Sequence, residues 1–336
     1  MLREVSLLVI GALLIVADAV DIVWTTLGTH GGGPISGRVT SYVWKAMLAI
    51  HKRWPNHRVL SFAGSLMLVL LLAIWILMLW TGWVFVFSAR DGAIVETQTH
   101  HPATLASRIY FVGYALSTMG NGDFMPSTDK WRLVVTITTL GGLGMLTLAI
   151  TFLLNVLPGV VHQRMIGAYI TDLGATPQQI VARSWDGAGF DSLNDHLLEL
   201  TGMVHLFTEH HLAYPVLHYF HSEQERTAAT LRLAALHETL VLIDCGADKS
   251  VRLKPQVCLP ILGALEGLRE VMSAEFVDPA EIAPPAPPLT MLSDFGIPTV
   301  DSVEYGHGLE RLGEARRFFA GLLRDDGREW KRVSGG

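Results

Sequence analysis

Three long apolar stretches dominate the first half of the chain, and shorter helical periodicities fill the second. Val5 to Leu27, Leu60 to Phe87 and Trp131 to Leu157 are each long enough to cross a bilayer, which takes about 20 apolar residues. The first carries Asp18 and Asp21 towards its C-terminal end. A secretory signal is the rival reading there, because Ala17-Asp18-Ala19 has the small residues of a cleavage site. Apolar character continues past that point through Val20, Ile22, Val23 and Trp24, which favours a retained helix.

Between the first and second spans, Gly28 to Arg58 holds Arg38, Lys45, Lys52, Arg53 and Arg58 and no acid, so the positive-inside rule assigns it to the cytoplasm. Val39, Val43, Met47 and Ile50 recur there at helical spacing, which predicts an amphipathic helix at the membrane interface. Asp18 and Asp21 would then lie near the inner boundary, where pairing with Arg38 or Lys45 and an ion-pathway role are both open. After three spans the C-terminus lies inside.

In the second half, Leu193, Leu197, Leu200, Val204 and Phe207 fall on one helical face, and the pattern resumes over Thr230 to Ile243 and Val257 to Val271. No sustained strand alternation occurs, so a small helical bundle is expected. Met165 to Arg183 links it to the third span, with Thr176-Pro177 as a helix start. Phe276 to Pro298 contains Pro284-Pro285-Ala286-Pro287-Pro288 and reads as an extended linker before a last helix, Glu310 to Leu323.

Composition sharpens this division. Half of the residues are hydrophobic and 17% are charged, as in a membrane protein. The net charge of −6 is uneven. Residues 1–162 carry 10 Lys+Arg against 7 Asp+Glu, while 163–336 carry 15 against 24. A basic membrane half with an acidic, solvated tail argues against nucleic acid as a partner. Cys245 and Cys258 lack metal-ligand spacing and read as reduced structural thiols. The expected domains are 1–58 (first span and interfacial helix), 59–162 (pore), 163–276 (cytoplasmic helical domain) and 277–336 (proline-rich linker and last helix).

The chemistry is concentrated in Ser117-Thr118-Met119-Gly120-Asn121-Gly122-Asp123, between a short helix predicted over Ala103 to Leu116 and the third span. Glycines alternating with larger residues let successive carbonyls point the same way and replace the hydration shell of a cation. The order of helix, loop and helix resembles the pore domain of the tetrameric potassium-channel superfamily over roughly residues 60 to 160. Thr118, Gly120, Gly122 and Asp123 match its filter signature and Pro126 a frequent position after it. Met119 stands where Val or Ile is usual, and Asn121 where Tyr or Phe is usual.

The resemblance implies an all-α membrane protein: a potassium-channel-like pore domain, with an added N-terminal transmembrane helix and a cytoplasmic helical domain. It implies four chains around one axis, since one loop cannot enclose an ion. The filter would comprise Thr118, Met119, Gly120, Asn121, Gly122 and Asp123, and Gly142, within Gly141-Gly142-Leu143-Gly144, would take the place of a gating hinge. Close packing of membrane helices is the plainer reason for such glycines. Thr147, Thr151 and Asn155 repeat at i, i+4 and i+8 and would line a cavity below the filter, unless they serve hydrogen bonds within or between helices.

The aromatic missing at Asn121 would normally brace the filter, so the brace must be rebuilt or the filter is looser. The expected function is passive conduction of cations across the plasma (inner) membrane by a homotetramer in the lipid bilayer. Potassium is the expected permeant ion, with a weakly selective channel that also passes sodium as the alternative. A non-conducting membrane-anchored sensor or scaffold is the alternative of another class. No voltage-sensing arginine series, no nucleotide fingerprint and no catalytic set stands out, so no enzyme and no cofactor is expected. Seven histidines crowd into 196–237. His218, His221 and Glu225 have spacings that could hold a metal or sense protons, but a dispersed set of surface and core histidines explains them as well.

Overall fold

The computed structural model describes residues 1–28 and 32–334. It separates into two compact units, Met1–Thr40 with Leu66–Asn155, and Ser41–Ser65 with Val156–Gly336. These limits cross the expected domain boundaries, because residues 41–58 belong with the C-terminal helices and 277–336 shares their core.

The first unit is built on α1 (Leu2–Leu27), α4 (Ala63–Ser88), α5 (Leu105–Leu116) and the first part of α6 (Asp129–Leu173). α1, α4 and α6 are long and apolar enough to cross a membrane. α1 and α4 meet through glycines. A Cβ on Gly11 would lie 2.7 Å from the Gly82 carbonyl oxygen, and one on Gly82 would lie 2.8 Å from Ile15. Such small residues let membrane helices approach by backbone contact. Phe87, Phe111, Val112 and Tyr114 form the core around α5. β1 (Ile94–Glu96) pairs antiparallel with β2 (Phe124–Pro126), Val95 opposite Met125, and so ties the loop before α5 to the segment after the filter.

Asp21 pairs with neither Arg38 nor Lys45. Its Oδ1 accepts the backbone N–H of Ile35 at 2.7 Å and of Ser36 at 3.1 Å, and its Oδ2 accepts the Ser36 hydroxyl at 2.5 Å and Trp75 Nε1 at 2.9 Å. Asp21 thus caps α2 (Ser36–Arg53) from a distance in sequence. Among the described residues, neither carboxylate oxygen of Asp18, also buried, has a hydrogen-bond partner.

The helix that carries the third span does not stop at Pro158-Gly159. α6 runs on to Leu173, so most of the expected link from Met165 is helix. A proline there forgoes its own bond to the carbonyl four residues back, a loss offset by packing. Gly159 seats against Leu217, where a Cβ would lie 2.6 Å from Leu217 Cδ1, and Ile166 and Ile170 are fully buried. α7 (Pro177–Ser184) then starts as expected, with Thr176 Oγ1 accepting the Gln179 N–H at 3.2 Å.

In the second unit α8 (Asn194–Ala213) packs along α10 (Pro255–Glu275), and α9 (Ala229–Val241) is buried along its whole length. The proline-rich stretch is not a free linker. Arg316 Nη2 donates to the Pro285 carbonyl at 2.7 Å and the Tyr305 hydroxyl to the Pro287 carbonyl at 2.7 Å, while Leu292 and Ile297 enter the core. Here α11 (Thr290–Ser293) interrupts it, and the expected last helix is two, α12 (Ser302–Arg311) and α13 (Gly313–Asp325). Apolar side chains inside the stretch found a surface to bury against, and side-chain donors satisfied its carbonyls.

The part of α2 in this unit buries Trp44 and His51, whereas Val43 and Met47 are half-buried and Ile50 is exposed. The buried face is therefore rotated from the expected apolar stripe. Trp44 Nε1 donates to the Asp325 carbonyl at 3.2 Å and its ring lies 5.7 Å from that of Tyr219. α3 (His57–Ser61) follows, started by Asn56 Oδ1 accepting the Arg58 N–H at 2.9 Å.

Candidate ion-conduction site

The site begins where α5 ends. Thr104 Oγ1 accepts the Ser107 N–H at 3.2 Å and opens α5. At the other end the N–H groups of Ser117, Thr118 and Met119 fold back onto the carbonyls of Gly113, Ala115 and Tyr114 at 3.1, 3.2 and 2.9 Å. Those bonds hold the start of the filter segment directly on the negative end of the helix dipole, which favours cations.

Beyond them the backbone alternates. Thr118, Gly120 and Gly122 have φ of 58°, 60° and 81°, while Met119 and Asn121 keep negative φ. Gly120 and Gly122 take this region at no steric cost, but a residue with a Cβ such as Thr118 gives up about 1–2 kcal/mol. Alternating left- and right-handed residues gather N–H groups on one side of the chain and carbonyls on the other. Among the described residues no donor reaches the carbonyl oxygens of Thr118, Met119, Gly120 or Asn121, and residues 117–123 are all exposed. The row ends at Gly122, whose carbonyl accepts the Thr97 hydroxyl at 2.6 Å, while the Thr97 N–H reaches the Asp123 carbonyl at 3.0 Å. The Gly122 carbonyl is thus spoken for within the chain.

Asn121 has its own brace. Its Nδ2 donates to the Tyr110 hydroxyl and, at 3.2 Å, to Asp123 Oδ2, and the Tyr110 hydroxyl donates to the same oxygen at 3.3 Å. Tyr110 packs edge-to-face on Tyr114 at 5.2 Å, and the Tyr114 hydroxyl donates to the Phe124 carbonyl at 2.9 Å. Two tyrosines one turn apart on α5 therefore hold the back of the loop. Sequence reasoning missed both and missed Thr97. The i, i+4 repeat of Tyr110 and Tyr114 is visible in the sequence; the reach of Thr97 across 25 residues is not.

The remaining predicted residues lie on α6. Gly142 faces the end of α5 so closely that a Cβ there would overlap the Leu116 carbonyl, whereas Cβ atoms at Gly141 and Gly144 would meet nothing within 4 Å among the described residues. The helix is continuous through Gly142, in the manner of close packing. Thr147, Thr151 and Asn155 are exposed on one face. The Thr147 hydroxyl donates to the Leu143 carbonyl and that of Thr151 to the Thr147 carbonyl, both at 2.9 Å.

The profile of a family described as "Ion channel" matches residues 73–158, which contain α5, the whole filter segment and Gly142. A Bacillus subtilis (strain 168) protein, "Uncharacterized membrane protein YdjJ", is 32% identical over 324 residues, 96% of this chain and 94% of its own length. This chain belongs to that membrane-protein family. Its residues 73–158 form an ion-channel domain like that of potassium channels. No solved structure matches the chain.

In the second unit, His218, His221 and Glu225 go to separate partners. His218 stacks on Phe276 at 5.0 Å, and burial pulls its pKa down to about 4. Glu225 lies 3.8 Å from Arg332. His221 joins a chain of its own: its Nδ1 meets Asp326 Oδ1 at 2.8 Å and its Nε2 meets His57 Nδ1 at 2.9 Å. Asp326 also accepts from the Thr230 hydroxyl at 2.6 Å and Arg328 Nε at 3.1 Å.

Proposed function

We propose that four copies of this chain assemble around an axis and conduct potassium through a filter formed by Thr118 to Asn121. The observation that carries this reading is the alternation of φ at Thr118, Gly120 and Gly122, in four successive exposed residues whose carbonyls accept from no donor among the described residues. An exposed row of unsatisfied carbonyls is unfavourable on a lone chain in a membrane and useful around a dehydrated cation. Asp123 would add a ring of carboxylates at the outer mouth, and the face of Thr147, Thr151 and Asn155 a polar lining below. Gly142 would serve as the point where α6 bends if the pore gates there. The setting is the plasma membrane, with the C-terminal unit in the cytoplasm, as the basic loop before α4 supports.

A weakly selective monovalent channel is the second reading, and one observation favours it. The position usually filled by an aromatic is held by hydrogen bonds from one amide to Tyr110 and Asp123 rather than by a packed ring. The deciding experiment is the reversal potential of purified protein in planar bilayers with potassium on one side and sodium on the other. A value near the potassium equilibrium potential is expected. A value near zero means that sodium passes as readily, and no current in any condition removes the conduction reading itself.

A further inference from the structure

The end of α2 and the elbow after it carry a surface that conduction does not use. Tyr42, Lys45, Ala49 and Lys52 follow at i, i+3, i+7 and i+10, share one face of α2 and are all exposed. Arg53 ends the helix near that face, exposed Trp54 follows it directly, and Phe62 stands beyond the elbow. The three aromatics are 71%, 70% and 69% exposed, an unusual set for residues with so much apolar area. Of the four Lys and Arg in 45–58, Arg58 alone forms an ion pair within 4 Å among the described residues, with Glu223 at 2.8 Å, while Lys52 acts on the Asp325 carboxylate from further off.

Exposed aromatics interleaved with exposed cations are the pattern of a segment lying among lipid headgroups. Covalent continuity adds a second argument. α4, an apolar helix long enough to span a bilayer, begins at Ala63, so Trp54 to Phe62 sits where a span meets the polar layer. We propose that Tyr42, Lys45, Lys52, Arg53 and Trp54 form a binding face for the phosphodiester headgroups of anionic phospholipid, with Trp54 and Phe62 seated among the first acyl carbons. Each cation held at such a surface favours association roughly fivefold. The buried side of the same helix is fastened to the C-terminal end of α13, through Trp44 and the Asp325 carbonyl, so lipid contact bears directly on the helical unit.

The test needs no current. Full-length protein is reconstituted in nanodiscs of equal parts phosphatidylcholine and phosphatidylglycerol and extracted in mild detergent, and the retained lipid is counted by mass spectrometry. Wild type should retain phosphatidylglycerol several-fold over phosphatidylcholine. K45Q/K52Q/R53Q should bring the ratio close to that of the nanodisc, and W54A should lower it less. The control K249Q/K254Q/K331Q removes three lysines that each lie against a carboxylate, at 3.6, 3.6 and 2.5 Å, and should leave the ratio unchanged. A wild-type ratio equal to the bulk, or the same drop in both triple variants, overturns the proposal. In the first case the face is covered by protein, and in the second only total charge matters.

Discussion

The Asn121 amide donates to the hydroxyl of Tyr110, a residue eleven positions earlier on α5, and both groups converge on one oxygen of Asp123. Asn121, with no ring of its own, thus gains a phenol supplied from the helix before it. The contact is polar and directional where ring packing would be broad, so a single atom tests it.

Removing that atom by Tyr110→Phe keeps the ring contacts with Tyr114 and Phe124 but leaves Asn121 and Asp123 without their shared partner. Loss of such a bond costs about 0.5–1.5 kcal/mol, too little to unfold the protein. The expected outcome is a normal yield with the reversal potential moved towards zero under potassium and sodium. An unchanged reversal potential would show that the hydroxyl is not part of the brace.

Gly142 and Gly144 should separate cleanly. A Cβ at 142 overlaps the Leu116 carbonyl, a backbone atom that cannot rotate away, whereas a Cβ at 144 meets open space within the chain. Gly142→Ala is expected to shift α6 away from α5 and to lower thermal stability by about 1–3 kcal/mol, the usual range for overpacking. Gly144→Ala should match wild type in melting or gain slightly from helix propensity. Equal melting of the two variants would contradict the close approach.

Acid should loosen the second unit. Burial, with the Arg328 guanidinium and the rings of His221 and His51 nearby, lowers the His57 pKa to about 4, against the pull of Asp326. Burial lowers His211 to about 3. A histidine whose folded pKa is depressed stays neutral in the fold while the unfolded chain takes a proton. Stability is therefore full above pH 6.5 and falls as pH drops towards 4. Asp326, held low by His221 and Arg328 despite its burial, adds a further loss below about pH 4. The melting temperature of detergent-solubilised protein should decline across pH 6.5 to 4. His57→Gln should flatten that decline without abolishing it, because His211 and His218 remain; parallel curves would sink the assignment to His57.

One ion pair helps to hold the proline-rich stretch. Arg316 Nε meets Glu238 Oε1 at 2.8 Å and Nη2 meets Oε2 at 3.0 Å, both side chains nearly fully buried, and Nη2 also reaches the Pro285 carbonyl. Glu238→Ala strands a buried guanidinium and should cost about 3–5 kcal/mol. Limited proteolysis should then cut within residues 276–298, where wild type resists. Resistance in the variant would mean that Leu292, Ile297 and the Tyr305 hydroxyl hold the stretch without the ion pair.

The amino-acid sequence alone determined the three membrane-length helices, the short helix over Leu105–Leu116, the glycine-alternating segment 117–123 that follows it and the helical nature of the second half. These follow from local quantities: runs of apolar residues, glycine alternation and periodicity. Only the tertiary structure decided where α6 ends, because Pro158 signals a stop locally while Gly159, Ile166 and Ile170 find partners that carry the helix through. It likewise decided that Asp21 caps α2 rather than pairing with a cation, that the prolines of 284–288 lie against a core, and that Tyr110 and Thr97 hold the loop. Each of these rests on groups brought together from 11 to 31 residues apart or more, and hydrogen-bond geometry between such groups leaves no periodic trace along the chain.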